Sequence, residues 1–314
     1  MNLDSIIKAQ TALSAFVRQT PLQRSEYFSH LFGEKVYLKL ENWQKTGSFK
    51  IRGALHKISQ LSSDEKSRGV ITASAGNHAL GVAHAAKLYG IKTKIIVPAD
   101  ASAAKIHALN QYNLDLIVDG NDYDEAEEIA FEIQRQEKLT FVHAFSDERI
   151  ISGQGTIALE ILEQLPNVKN MIVPVGGGGL ISGVAVAAKA KNPDVKIVGV
   201  QSEASPAMFN SLQAGRNVET PIKETIADGL AGRFVTDLTL HFVQKYVDDM
   251  ILVSENAIKE AVKCAFMQEH LLLEGSAAVG LAAILENKLK LKGETAVILT
   301  GRNISLELFK NIIL

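Results

Sequence analysis

Residues 46–53 read TGSFKIRG, which sets Lys50 behind an aromatic, Phe49, after a turn-forming Thr46-Gly47-Ser48 and ahead of the helix-like IRGALHKI. A lysine amine can act as a base or form a Schiff base with a carbonyl. Alone, this stretch reads most simply as a surface lysine. Other loops with unusual chemistry follow apolar, β-branched runs. SAGNHALG (74–81) offers backbone N–H groups at a helix start, which suits a carboxylate or phosphate, and Asn77 adds a donor and an acceptor. Taken by itself it reads more simply as a helix-capping turn. VGGGGLISG (175–183) places Gly176, Gly177, Gly178 and Gly179 directly after NMIVPV and before Leu180. Four consecutive glycines are costly in backbone entropy. They make sense where backbone must approach a ligand and a helix start can cradle a phosphate. TIADGLAG (225–232) is an Asp-Gly turn around Asp228, and LTGRN (299–303) puts the neutral hydroxyl of Thr300 at the end of the last apolar run.

Several other chemistries find no support. No Gly-Lys-Ser/Thr follows the glycines, and Ile181 breaks the G-x-G-x-x-G spacing, so a compact phosphate fits better than a dinucleotide. GQGTIA (153–158) fits a looser G-x-G-x-x-A form but follows SDERIIS and not a strand. The histidines show no H-x-x-x-H spacing, so no catalytic zinc is expected, and no G-x-S-x-G elbow is present. Tyr112, Tyr123 and Trp43 read as packing residues, and DYDEAEE (122–128) as the solvated first turn of a helix.

These loops need a scaffold, and the order of elements supplies one. Apolar runs at 35–41, 69–74, 92–98, 114–119, 141–144, 170–176, 196–202, 250–254 and 295–301 read as strands covered on both faces. Helical spacing occupies 77–89, 103–111, 123–137, 154–165, 180–191 and 255–270. The alternation predicts an α/β fold with mostly parallel sheet, in which ligands gather beyond the strand ends. With 314 residues, 46% hydrophobic and 22% charged, the chain has the balance of a soluble protein with one large or two ordinary domains. A net charge of -2 gives no bulk attraction to nucleic acid or an anionic membrane. Cys264 is the only cysteine, so no intramolecular disulfide forms and a thiolate-rich metal site is excluded. The N-terminus lacks the order of a signal peptide, and no apolar run approaches the ~18–20 residues of a membrane span. A cytoplasmic protein is expected.

A phosphate cradle, an asparagine, a neutral hydroxyl and a lysine beside an aromatic together describe a pyridoxal phosphate site. GSFKIRGA, SAGNHALG, GGGGL, TIADG and TGRN, in this order from TPL at 20–22 to Asn303, resemble the threonine dehydratase/serine racemase family of fold-type-II pyridoxal phosphate enzymes. The likeness is strongest to short threonine dehydratases. Only eleven residues follow Asn303, so a regulatory domain and feedback by isoleucine through it are not expected. The resemblance implies two three-layer αβα domains with the cofactor in the cleft between them. The larger would comprise 1–52 and 147–314, and a smaller mobile one 53–146. It implies that Lys50 holds the cofactor and later takes the Cα proton, its pKa lowered by a cationic and partly buried setting. Phe49 would flank the ring, Asn77 would bond its 3-hydroxyl oxygen, and Gly176 to Gly179 with Leu180 would bind the phosphate. Thr300 would face the pyridine nitrogen. Ser74, Ala75, Gly76, Asn77 and His78 would clamp the substrate carboxylate, and Asp228 would approach the substrate side chain.

The activity so implied is β-elimination on L-threonine or L-serine to a 2-oxo acid and ammonia, by a homodimer or homotetramer. Racemases of this family carry a serine where this chain has Ala75, which cannot reprotonate Cα. Gln201 and Ala207, with Ser205 between them, stand where metal-dependent members place acidic ligands, so no divalent metal is expected. Racemisation, or elimination on 3-hydroxyaspartate or a hydroxyectoine-derived acid, is the alternative within enzymes. A cofactor-less metabolite sensor is the alternative outside them.

Overall fold

Runs rich in Val, Ile and Leu pair into two sheets. The computed structural model describes residues 1–99, 101 and 103–314. Its strands are β1 (Leu22–Ser25), β2 (Val36–Lys39), β3 (Val70–Ala73), β4 (Thr93–Val97), β5 (Asp115–Val118) and β6 (Thr140–Phe141). The later ones are β7 (Asn170–Pro174), β8 (Lys196–Ser202), β9 (Asp249–Val253) and β10 (Thr295–Ile298). The helices of the first half are α1 (Leu3–Leu13), α2 (Glu26–Phe32), α3 (Lys50–Ser59), α4 (Ser63–Arg68), α5 (Asn77–Tyr89), α6 (Ala103–Leu109) and α7 (Tyr123–Glu137). Those of the second half are α8 (Glu148–Gln164), α9 (Gly179–Lys191), α10 (Ala207–Ala214), α11 (Asp237–Tyr246), α12 (Glu255–Glu269), α13 (Gly275–Leu285) and α14 (Leu306–Ile313).

One sheet runs β1-β2-β10-β7-β8-β9, parallel except for the edge strand β1, and the other runs β5-β4-β3-β6, all parallel. Alternate residues feed opposite faces. Met171 and Val173 of β7, with Ala296 and Ile298 of β10, pack on one side with Ile157 of α8 and Val184 of α9. Ile172 and Val297 pack on the other side with Ala261 of α12 and Leu281 of α13. The smaller sheet is sandwiched likewise. Ile71 and Ile96 meet Ala126 and Ala130 of α7, while Ile95 and Val97 meet Ala79 and Ala83 of α5. The fold is therefore the expected α/β architecture with helices on both faces of mostly parallel sheets. The strands of the smaller sheet all lie within 70–141, and α3 runs across residue 52, packing on both α5 and α8.

Some expectations need correction. The run 141–144 is a strand only to Phe141. His143 turns the chain, its Nδ1 accepting from the N–H groups of Phe145 (3.1 Å) and Ser146 (2.9 Å). Helix α8 begins six residues before the expected 154, because Asp147 accepts from the N–H groups of Arg149 (2.7 Å) and Ile150 (3.4 Å) as its N-cap. GQGTIA therefore lies inside a helix. A Cβ at Gly153 would stand 2.7 Å from Arg52 O, and one at Gly155 2.8 Å from Gly183 O. These glycines let α8 press against α3 and α9 and do not meet a phosphate. Tyr112 packs as expected, but Trp43 and Tyr123 are 41% and 39% exposed and are not core residues. The acidic start of α7 is not merely solvated, since Asp122 and Asp124 both pair with Arg233.

Beneath the start of α3 lies a buried ionic cluster. Arg52 Nε and Nη2 donate to Glu41 Oε2 and Oε1, each at 2.8 Å, and Nη1 donates to Glu160 Oε1 at 2.7 Å. Lys39 Nζ donates to Glu160 Oε2 (2.6 Å) and Thr20 O (2.7 Å). Burial lowers the Lys39 pKa against the pull of Glu160 and Glu41. Burial pushes the Glu41 carboxyl up, and the Arg52 guanidinium more than reverses it, so its pKa falls below the usual range. Two cations face two anions, and the forked guanidinium of Arg52, the second residue after Lys50 on α3, ties the end of β2 to α8. Arg52→Met leaves Glu41 without its charge partner and should cost about 3–5 kcal/mol. The measure is a lowered urea midpoint at unchanged slope, and a change under about 1 kcal/mol would contradict this account of the cluster.

Candidate active site

The segment carrying Lys50 is zipped onto the chain that leaves β10. Ser48 pairs with Gly301 in an antiparallel bridge, Phe49 N–H donates to Thr300 O (3.0 Å), and Arg302 N–H donates to Gly47 O (2.9 Å). Lys50 and Thr300, 250 positions apart in sequence, thus become neighbours through backbone bonds alone. Thr300 is buried, and Phe49 packs at the edge of the larger core. The Lys50 amine lies 5.4 Å from the Phe49 ring centroid and donates to Ala144 O at 3.0 Å. Lys50 keeps some accessible surface as a residue, yet its amine is surrounded by protein atoms. Burial lowers its pKa to about 8, with the Glu274 carboxyl pulling the other way. The depression was expected, but not its source. The charged neighbour is an acid and not a cation, and burial does the work.

The next residue after Ala144 reaches the glycine loop. A Cβ at Gly177 would stand 2.6 Å from ring atoms of Phe145, and one at Gly179 2.8 Å from Phe145 Cβ. One at Gly176 would meet Leu230 Cα at 3.0 Å. Gly178 has φ +92°, a left-handed conformation that L side chains avoid, and is the N-cap of α9. No side chain caps that helix, so its first N–H groups are free of side-chain acceptors. Leu180 is buried behind them. Ser48 Oγ, two residues before Lys50, is buried without a hydrogen-bond partner among the described residues. An uncapped glycine cradle, a deprotonable buried amine and an orphaned hydroxyl fit the pyridoxal phosphate that the sequence suggests.

A second uncapped helix start belongs to α5. Gly76 is its N-cap with no side-chain bond, and Gly76 N–H donates to Ser74 Oγ (3.1 Å). Ala75 lies against the small-sheet core. His78 turns inward, its Nε2 2.8 Å from Val142 O, and burial followed by the Lys50 charge lowers its pKa to about 3. A neutral imidazole donating to a carbonyl is a strut, so the carboxylate-binding capacity of this loop rests in its backbone. Asn77 Nδ2 donates to Glu274 Oε1 (2.7 Å), and Asn77 Oδ1 accepts from Asn303 Nδ2 (2.6 Å). Asp228, in a short turn of helix at Asp228–Leu230, ion-pairs with Lys105 at 2.8 Å. Gln201 accepts from Phe209 N–H (2.9 Å) and donates to Ser205 O (3.4 Å). Among the described residues no group of three His, Cys, Asp or Glu is placed to hold a metal ion.

Glu274 escaped sequence reasoning. Burial, then Asp228, raises its pKa to about 7. Its signal was the one acid within LLLEGSAAVGLAA, an otherwise apolar run with nothing to solvate a charge. Ala144 and Phe145 were missed because 141–144 read as plain strand.

Lys50 is held where a neutral amine is favoured, which costs stability. The folded pKa of about 8 lies below the ordinary 10.5. The penalty is therefore full below pH 8 and disappears as pH rises towards 10.5, where the unfolded chain also loses the proton. In cofactor-free protein, Lys50→Met should raise stability at pH 7 by roughly 1–2 kcal/mol, discounted for the partial exposure of the residue. That advantage should shrink between pH 8 and 10.5, as followed by urea denaturation across pH. An advantage that does not vary with pH would contradict the assignment.

The family described as pyridoxal-phosphate dependent enzymes matches residues 13–301. An L-threonine ammonia-lyase of Thermotoga maritima is 48% identical over 314 residues, all of this chain and 78% of that one. The catabolic L-threonine dehydratase TdcB of Escherichia coli is 39% identical over 97% of this chain and 93% of its own. The structure of maize serine racemase superposes with a TM-score of 0.95 at 38% identity, covering 99% of this chain and 96% of that one. With a family match across nearly its whole length, laid over a buried lysine and a glycine cradle, this chain belongs to the pyridoxal-phosphate dependent enzymes.

Proposed function

We propose that this protein is a threonine/serine ammonia-lyase that converts L-threonine or L-serine to a 2-oxo acid and ammonia. The observation that carries the reading is the Lys50 amine, depressed to about 8 and held on Ala144 O, one residue from the side chain that faces the glycine cradle. Two of the similar proteins named above are threonine ammonia-lyases or dehydratases, which supports the substrate. When bound, pyridoxal phosphate supplies the electron sink that lets a Cα proton leave. Gly176 to Gly179 and the α9 N-terminus bind its phosphate, and Asn77, Phe49 and Thr300 orient its ring. The uncapped start of α5, from Ser74 to His78, holds the substrate carboxylate. Lys50 takes the Cα proton as an amine, and the nearby Glu274 carboxylate steadies the ammonium that results. Thr300 is neutral, so it does not stabilise a positive pyridine nitrogen as a carboxylate would.

Lys105 of α6 pairs with Asp228, so a side chain from the 53–146 segment touches the loop that borders the substrate. The separate smaller sheet, formed wholly within residues 70–141, supports a division into a larger unit (1–52 and 147–314) and a smaller one (53–146) that closes over the amino acid. This reading includes a homodimer or homotetramer, as the resemblance implies. Among the described residues no helix is long and apolar enough to cross a membrane. The single cysteine supports a reducing, cytoplasmic setting.

The likeness to maize serine racemase favours a second reading, racemisation. Ala75 weighs against it, since a methyl group has no proton to return to Cα. Lys50→Ala should lower 2-oxo acid release from L-threonine and L-serine by about a thousandfold or more. Substantial turnover in that variant would defeat the mechanism. Ala75→Ser should raise the ratio of D-serine formed to pyruvate formed from L-serine, read by chiral chromatography. An unmoved ratio would show that Ala75 does not decide between the two outcomes.

A further inference from the structure

Asn77 sits in a hydrogen-bond relay whose direction is fixed by the Thr46 backbone carbonyl. At one end, the Thr46 backbone carbonyl accepts from Asn303 Nδ2 at 2.9 Å. The same Nδ2 donates its other hydrogen to Asn77 Oδ1 at 2.6 Å. At the other end, Asn77 Nδ2 donates to Glu274 Oε1 at 2.7 Å. A backbone carbonyl can only accept, so Asn303 must turn its NH2 to Thr46 and Asn77 its oxygen to Asn303, and the ionised Glu274 carboxylate favours the same orientation. Turning the Asn77 amide over would set its oxygen against the Glu274 carboxylate and its NH2 against the Asn303 NH2. Two hydrogen bonds would become two like-pole contacts. The second hydrogen of Asn77 Nδ2 makes no bond to the chain among the described residues.

The fold makes room for this relay at two glycines. A Cβ at Gly301 would collide with Glu274 Oε1, and one at Gly47, where φ is +76°, would collide with Asn303 Oδ1. Glu274 N–H also donates to Gly301 O at 3.2 Å, which fixes the backbone that carries the carboxyl. Glu274 is the N-cap of α13, yet its side chain makes no capping bond there. An acid at a helix start ordinarily serves the helix. This one is spent on Asn77.

We propose that Glu274 and Asn303 are positioning residues that lock the Asn77 amide so that it offers the cofactor an N–H and never its carbonyl. This rests on the reading that Asn77 faces the 3-hydroxyl oxygen of pyridoxal phosphate. That oxygen is then held as an acceptor. Neither Glu274 nor Asn303 needs to touch the cofactor for this to hold.

The test uses the intact holoenzyme and its variants, with two readouts. One is the dissociation constant of pyridoxal phosphate, by titration into resolved enzyme. The other is the position of the visible absorption band of the bound cofactor. Glu274→Leu and Asn303→Ala should each weaken cofactor binding by about tenfold and shift the band. Glu274→Gln keeps an acceptor oxygen for Asn77 and should stay within about twofold of the parent. In an Asn77→Ala background, Glu274→Leu and Asn303→Ala should add little. Asn303 is exposed, so its variant folds independently of the buried Glu274 position. The proposal is overturned if both variants leave binding and band unchanged while Asn77→Ala moves them. It is also overturned if they do equal damage with and without Asn77, which marks a general structural role. If Asn77→Ala itself changes neither readout, the underlying placement of Asn77 on the cofactor is what fails.

Discussion

The Arg52 guanidinium is the fixed point from which the site is built. It is fully buried and engages both oxygens of Glu41 and Glu160 within 3.0 Å. Glu41 follows β2, Glu160 lies on α8, and Arg52 is two residues beyond Lys50. The forked geometry therefore sets the first turn of α3 against two elements of the larger sheet layer at once. A single lysine in place of Arg52 would keep the charge and lose the fork. Gly53 and Gly153 allow the two helices to approach closely enough for the cluster to close. Lys50 inherits its position from these contacts and from the backbone bridge to residues 300–302.

Around that point, the site keeps two ionisable groups away from their ordinary states. The Lys50 amine is pushed down to about 8 and the Glu274 carboxyl up to about 7, each chiefly by burial. The two opposed shifts bring the amine and the carboxyl into the same range around neutrality. His143, lowered to about 4 by burial and then by the Lys50 charge, stays neutral and serves as a hydrogen-bond acceptor in the turn that carries Ala144 and Phe145. Neutral histidines thus brace the site without adding charge to it.

The parts legible in sequence were those whose chemistry is local. Lys50 beside Phe49, the four glycines and the SAGNH loop each break the composition of their surroundings, and the β-branched runs announced two-faced parallel sheets. The parts that were not legible depend on residues far apart in the chain. Glu274 reaches Asn77 across 197 positions, and Ala144 meets Lys50 across 94. No spacing rule contains those meetings. Helix α8 began early because a cap at Asp147 outweighed the loop-like look of SDERIIS, and Gly153 and Gly155 then proved to be packing residues. Helix α13 was hidden by its own burial, since an apolar run on every face shows no helical period.

Lys50 is the first residue of α3, and no acid occupies the first turn of that helix. The peptide dipoles of α3 sum to a partial positive charge at this end. A cation placed there is repelled by the helix that carries it, while a neutral amine is not. This end of the helix dipole works in the same direction as burial and against the Glu274 carboxyl. Such a field needs no proton of its own, so it does not fade as the solution becomes more alkaline.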